Sequence, residues 1–404
     1  MKLINHLLLY SLVFLHTIAQ ALSHDIYDPI LVAVIMVKNE ETVMQKTLQP
    51  FVDGGVDTFF IFDTGSTDNT IAVTQEFFDT NNIQHGYIQQ EPFINFAASR
   101  NRALELAQQQ FPNAAFMVMF DAEWYLNDAH ALVDFCNLCL TRNDMYASYL
   151  IRILNSALDF YTPRLIKCNC NVRFEGVVHE IICSQNIVKV PENIYFEYLP
   201  ETKGIEKSAQ RYFRDRKLLY KEYYKNPRDT RNLFYLARTC EDIGNLEEAY
   251  DLYKQRIALI GWDEEDFMSV YRLAQTVEKL SYQNENYRWH EALGYYLQAY
   301  KMRPNRAEPL ISIAYYYVHQ DDMHTAFLFA RRAIEIPYPY KDVLFVQKHA
   351  YDYLRYELLA RCAWYIDEFE IGEQAAKNAL QVHPEYKHAQ HNVRCYEDRK
   401  INRR

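Results

Sequence analysis

The sequence predicts a two-part chain: an α/β half on a mainly parallel sheet, followed by an all-α half of repeated helical hairpins. Three observations carry this. Strand-like and helix-like patterns alternate through the first half of the chain. From residue 203 strand signals vanish and helical periodicity takes over. Glycine is scarce, 10 residues in 404, which disfavours an all-β chain built on tight turns. The divisions that follow are a leader at 1–23, an α/β domain at 24–202 and helical repeats at 203–404.

In the α/β half, Ile30 to Val37 is an unbroken apolar run, suited to a strand buried on both faces. A helical stretch follows it, and Thr58 to Phe62 gives a second β-rich run. Thr70 to Thr80 reads as a helix. Asn95 to Phe111 is a longer amphipathic one, with Phe96, Ala103, Leu104 and Ala107 at helical spacing. Ala115 to Phe120 is a third apolar strand and ends directly at Asp121. This alternation is the pattern of right-handed βαβ units. Tyr146 to Leu154 and Val172 to Ile182 are expected to add strands that complete a mixed sheet.

In the helical half, small and large residues recur at fixed places. Leu236-Ala237, Gly244, Ala249 and Tyr253 fit one unit. Leu273-Ala274, Ala292, Tyr296, Ala299 and Pro304 fit a second, with an insertion near Gln283 to Trp289. Ile313-Ala314, Tyr317, Ala326, Ala330 and Ala333 fit a third, and Leu359-Ala360, Phe369, Gly372, Ala376, Ala379 and Pro384 a fourth. Ala292 and Ala326 are 34 residues apart, the tetratricopeptide (TPR) period. Small residues let two helices approach closely, and large ones fill the groove of the next pair.

Composition removes several function classes. The net charge of −10 argues against a broad nucleic-acid surface, which needs a basic excess. Lys2, the apolar run Leu7 to Leu15 and Ala19-Gln20-Ala21 resemble a secretory signal, too short for a comfortable membrane span. The secretory pathway or secretion is the expected location; an uncleaved membrane anchor and a cytoplasmic protein stay open. No other stretch reaches spanning length. The chain has eight cysteines, and Cys136-x-x-Cys139 lacks a second pair at zinc-finger spacing, so buried thiols are expected.

Three polar clusters follow the three apolar strands: Lys38-Asn39-Glu40-Glu41, Asp63-Thr64-Gly65-Ser66-Thr67-Asp68 and Asp121-Ala122-Glu123. Ligands of open α/β sheets bind beyond the carboxyl ends of strands, so acids from three strands are expected at one edge. Asp121 and Glu123 are two apart and point to the same side. Carboxylates there can accept hydrogen bonds from a ligand's N–H and hydroxyl groups or hold a divalent cation. Asp68 also fits an N-cap of the next helix.

These motifs, with Ser99-Arg100-Asn101-x-Ala103-Leu104 and Val177-Val178-His179-Glu180, resemble in order and spacing the family 2 glycosyltransferases of GT-A fold that carry TPR repeats. The resemblance implies an inverting, metal-assisted transfer from a nucleotide-sugar donor to a protein or oligosaccharide acceptor, and the extended helical surface of the repeats is suited to holding that acceptor or docking a partner. It implies that Asn39, Glu40, Glu41, Asp63, Asp68, Arg100 and Asp121 bind the donor. Asp121, Glu123 and His179 would hold Mn²⁺ or Mg²⁺. Here Asp-x-Glu stands where the family commonly has Asp-x-Asp. Arg100 pairs with phosphate on this reading, or sits in a plain ion pair; His179 is a third metal or diphosphate contact, or a structural histidine. Asp121, Glu175 and Glu180 are the candidate catalytic acids, with Asp159 a further candidate for the base. The competing reading is a TPR scaffold with a lapsed transferase domain. A nucleotidyltransferase would want an early glycine-rich basic loop, which is missing.

Overall fold

The computed structural model describes residues 28–155, 159–182, 187–199, 202–283 and 288–401. The leader expected at 1–23, Cys183 and most of the insertion near 283–289 lie outside them. The chain divides into two compact units. One comprises Met1–Ile151, Pro163–Glu175 and Glu180–Phe196; the other comprises Arg152–Thr162, Gly176–His179 and Glu197–Arg404. The second unit thus claims two short segments from the α/β half as well as the helices.

In the first unit, β1 (Leu31–Val37), β2 (Thr58–Asp63), β3 (His85–Gln90) and β4 (Phe116–Phe120) run parallel. Their connections contain helices α1 (Met44–Asp53), α2 (Thr70–Thr80) and α3 (Phe96–Gln110). The apolar runs become strands because both faces are covered: every residue of β2 and β4 is buried. Phe51 of α1 stacks on Phe120 at 4.5 Å between ring centroids, fastening helix to sheet. The Asn95 side chain accepts from the Ala98 N–H at 2.8 Å and so caps α3.

Further strands are β5 (Trp124–Leu126), β6 (Ser148–Leu154), β7 (Asp159–Lys167), β8 (Phe174–Glu175), β9 (Ile181–Ile182), β10 (Ile187–Lys189) and β11 (Tyr195–Tyr198), and α4 (Ala129–Arg142) lies between β5 and β6. Sheet order is β3-β2-β1-β4-β7-β6-β11-β5, with β10 paired to β6. β7 runs antiparallel to β4, pairing from Leu165 to Lys167. The single strand expected over 172–182 is instead a small separate hairpin of β8 with β9. Gly176, at φ 99°, leads out of β8, a backbone position that favours glycine.

The second unit holds α5 (Thr202–Lys225), α6 (Thr230–Asp242), α7 (Leu246–Ile257), α8 (Asp263–Gln283), α9 (Trp289–Met302), α10 (Glu308–His319), α11 (Met323–Ile334), α12 (Arg355–Tyr365), α13 (Phe369–Val382) and α14 (Lys387–Ile401). Each helix packs on the next, giving the four expected hairpins, α6/α7 to α12/α13, with α5 and α14 outside them. Leu236-Ala237, Leu273-Ala274, Ile313-Ala314 and Leu359-Ala360 are buried, as are Ala249, Ala292, Ala326 and Ala376. This half is a TPR-like helical-repeat array. Among the described residues no helix is long and apolar enough to cross a membrane.

Candidate functional site

The strand order locates a site before any side chain is considered. From β1 the chain steps outward to β2 and β3, then returns past β1 to β4 on the other side. The connections leaving β1 and β4 therefore diverge, and it is beyond the carboxyl ends at such a topological position that open α/β sheets bind ligands. Val37 pairs with Asp63, and Ile35 with Phe120, so the three acidic clusters leave the sheet at one edge.

Asp63 is fully buried there. Its carboxylate accepts from Gly65 N–H at 3.1 Å, Ser66 N–H at 3.0 Å, Gln90 Nε2 at 3.0 Å and the Ser66 hydroxyl. Burial alone pushes its pKa up, but the bonds from Gln90, Ser66 and Gly65 outweigh burial and hold it below the ordinary carboxylate value.

The loops after β1 and β2 are joined by hydrogen bonds. The Asn39 N–H donates to Ser66 Oγ at 2.8 Å, Glu40 N–H to Thr70 Oγ1 at 2.7 Å and Thr67 N–H to Asn39 Oδ1 at 2.7 Å. Glu41 Oε2 accepts from Asn69 N–H at 3.0 Å and Asn69 Nδ2 at 3.1 Å. Asp68 accepts from Thr70 N–H at 3.0 Å and Glu41 N–H at 3.3 Å, so it serves the start of α2 and the neighbouring loop together. Asn39 at φ 59° and Gly65 at φ 102° take the left-handed backbone that these turns require. Asn39, Glu41, Asp63 and Asp68 therefore shape one rigid edge.

The second part of the site is a cluster of four charges. Arg100, on α3, donates to Asp121 and, through Nε, to Glu180 Oε1 at 2.5 Å. Arg164, on β7, brings Nη2 within 3.5 Å of Glu180 and 3.9 Å of Asp121. Arg100, Arg164 and the side chain of Glu180 are buried, while the Asp121 side chain is 30% exposed. Burial opposes the Arg100 charge, but Asp121 and Glu180 more than offset it and raise its pKa. For Arg164 burial comes first and the Arg100 charge adds to it, so its pKa is lowered. Of the two readings left open for Arg100, the ion pair is the one seen, and it is buried rather than at the surface.

Glu123 stays beside this cluster, whereas Glu175, His179 and Asp159 fall elsewhere. Glu123 follows Asp121 with φ 66°, a left-handed conformation uncommon for glutamate. Glu175 is exposed at the end of β8. His179 belongs to the second unit, where its ring stacks on Tyr235 at 4.1 Å and its carbonyl accepts from Arg231 Nη2 at 3.0 Å. Burial, then the charges of Arg238, Arg231 and Arg211, hold its pKa well below the ordinary histidine value. Among the described residues no three His, Cys, Asp or Glu side chains converge as a metal-binding group. Asp159 is bound in the second unit by Arg152 Nε at 2.8 Å and by the Tyr338 hydroxyl. The seven described cysteines are free thiols. Arg164 escaped the sequence reading; its one signal is an arginine beside Pro163 in a run otherwise like a strand.

No protein-family model matches the chain, and no curated protein matches it. Among solved structures, MamA from Desulfovibrio magneticus RS-1 is 17% identical, over 43% of this chain and 86% of that one, at a TM-score of 0.33. YrrB, a TPR protein described as having an unusual peptide-binding site, is 16% identical over 46% of this chain and 84% of its own, at 0.34. TTC0263, a TPR protein of Thermus thermophilus, is 17% identical over 47% and 92%, at 0.32. Likeness at this level assigns neither a family nor an activity.

Proposed function

We propose that the chain is a glycosyltransferase that moves a sugar from a nucleotide-sugar donor to a protein or glycan acceptor. The observation that carries this reading is the reversal of strand order between β1 and β4, with Asp63 and Asp121 at the carboxyl ends beside it. Glu40, Glu41 and the 63–68 loop supply acceptors for a base and ribose, and Arg100 supplies a cation for phosphate.

A divalent cation fits the donor set in a limited way. Asp121 and Glu123 are hard oxygen ligands two residues apart, and Mg²⁺ on a nucleotide takes only one or two protein carboxylates, the rest being phosphate and water. Mg²⁺ or Mn²⁺ held there would neutralise charge on the departing diphosphate. Glu180 and Glu175 stay the candidate bases. Glu180 is the more firmly held of the two, by the guanidinium groups of Arg100 and Arg164.

A second reading, a helical interaction scaffold, is favoured by the TPR-like array itself, which carries exposed aromatic rings such as Tyr224 and Tyr315. A calorimetric screen of UDP, GDP and their sugars, with and without Mn²⁺, separates the two. Saturable binding of one nucleotide diphosphate, lost in Asp121→Ala with the thermal melt unchanged, supports the transferase. Absence of binding by every nucleotide would leave the scaffold.

A further inference from the structure

We infer that Arg164, together with Arg100, forms a receptor for an oxyanion at the carboxyl end of β4; on the transferase reading, this anion is the donor's diphosphate. Arg164 belongs to β7, the strand inserted antiparallel beside β4, so the sheet itself delivers a second guanidinium to the first. Only 3% of Arg100 and 6% of Arg164 is exposed. Aromatic rings hold the forks in place: the Arg164 guanidinium lies 5.2 Å from the Trp124 ring and 5.5 Å from Phe174, and Arg100 lies 5.9 Å from Phe174.

The donors outnumber their partners. Arg100 spends Nη2 and Nε on Asp121 and Glu180. Its Nη1, and both Nε and Nη1 of Arg164, are buried with no hydrogen-bond partner. Buried donors are nearly always satisfied, and a guanidinium costs more than most groups when left without acceptors. Arg164 is the less satisfied of the pair, because its nearest carboxylates stand at 3.5 and 3.9 Å. Tetrahedral phosphoryl oxygens match guanidinium forks and supply the missing acceptors. Asp121, the most exposed of the four charged groups, marks the side from which such an anion arrives.

The test is titration of the full-length protein with inorganic pyrophosphate, with the nucleoside diphosphate and with the free nucleoside, in wild type, Arg164→Lys and Arg164→Met. Wild type is expected to bind pyrophosphate. Arg164→Met weakens that binding by about tenfold or more and Arg164→Lys by less, because lysine keeps the charge but not the fork. Nucleoside affinity stays unchanged in both. If Arg164→Met does not fold, Arg164→Lys against wild type carries the comparison. Equal pyrophosphate affinity in wild type and variants, or no pyrophosphate binding by wild type, overturns the inference. A parallel loss of nucleoside and pyrophosphate binding would also overturn it, reducing Arg164 to a support for Glu180. Arg164-dependent pyrophosphate binding that a nucleoside does not improve would sustain the anion receptor while removing the nucleotide-sugar reading.

Discussion

Asp63 shows how one carboxylate fixes a loop and so a site. Its oxygens take the N–H groups of Gly65 and Ser66 and tie them to Gln90 of the edge strand β3. Since its folded pKa is depressed, Asp63 stabilises the protein above its unfolded value of about 3.9, and that stability is lost as pH falls through the lower folded value. Asp63→Ala should therefore cost about 1–3 kcal/mol at neutral pH by leaving buried N–H groups without acceptors. Thermal melts of wild type and Asp63→Ala should converge as pH falls below about 4. A gap that stays constant would mean the charge on Asp63 does not hold the loop. Asp63 and Asp121 were legible in the sequence because each ends an unbroken apolar run. Arg164 was not: its neighbour Pro163 argues against a central strand, and its meaning depends on β7 lying next to β4.

At the scale of elements, glycines in the helical array separate close packing from open space. Gly372, on α13, has no room for a methyl group. A Cβ there would overlap the Tyr396 hydroxyl and stand 2.9 Å from Ala363 Cβ. That hydroxyl is itself fixed by donating to the Ala360 carbonyl at 2.6 Å. Gly294, on α9, has nothing within 4 Å of the same position. Gly372→Ala should destabilise by about 1–3 kcal/mol through overpacking, whereas Gly294→Ala should stabilise by up to about 1 kcal/mol through helix propensity. Thermal melts decide this, and a loss for both variants would contradict the packing. Gly372 was identified in sequence as a small TPR position, and it is buried like Ala249, Ala292 and Ala326, the small residues at the corresponding place in the other three hairpins. Strands with mixed polarity were harder to see. β3, with sequence HGYIQQ, is an edge strand paired only with β2, so it lacks the two-faced apolar run that revealed β1, β2 and β4.

At the scale of the whole molecule, sequence marked the change from α/β to helical pattern near residue 203, close to where the last segment of the first unit ends at Phe196. It did not show that 152–162 and 176–179 belong with the helices. Those memberships rest on distant contacts, such as Asp159 bridging to Val346, that no local pattern records. On the transferase proposal, donor binding belongs to the carboxyl edge of β1, β2 and β4, within the first unit. Amide hydrogen–deuterium exchange of the full-length protein, with and without the nucleotide sugar selected by the binding screen and Mn²⁺, tests this most directly. Slowed exchange is expected in residues 38–43, 64–70 and 121–124, where backbone N–H groups of Asn39, Glu40, Gly65 and Ser66 already form the loop network. Protection confined to the helices of residues 202–401, with those three segments unchanged under saturating ligand, would contradict it.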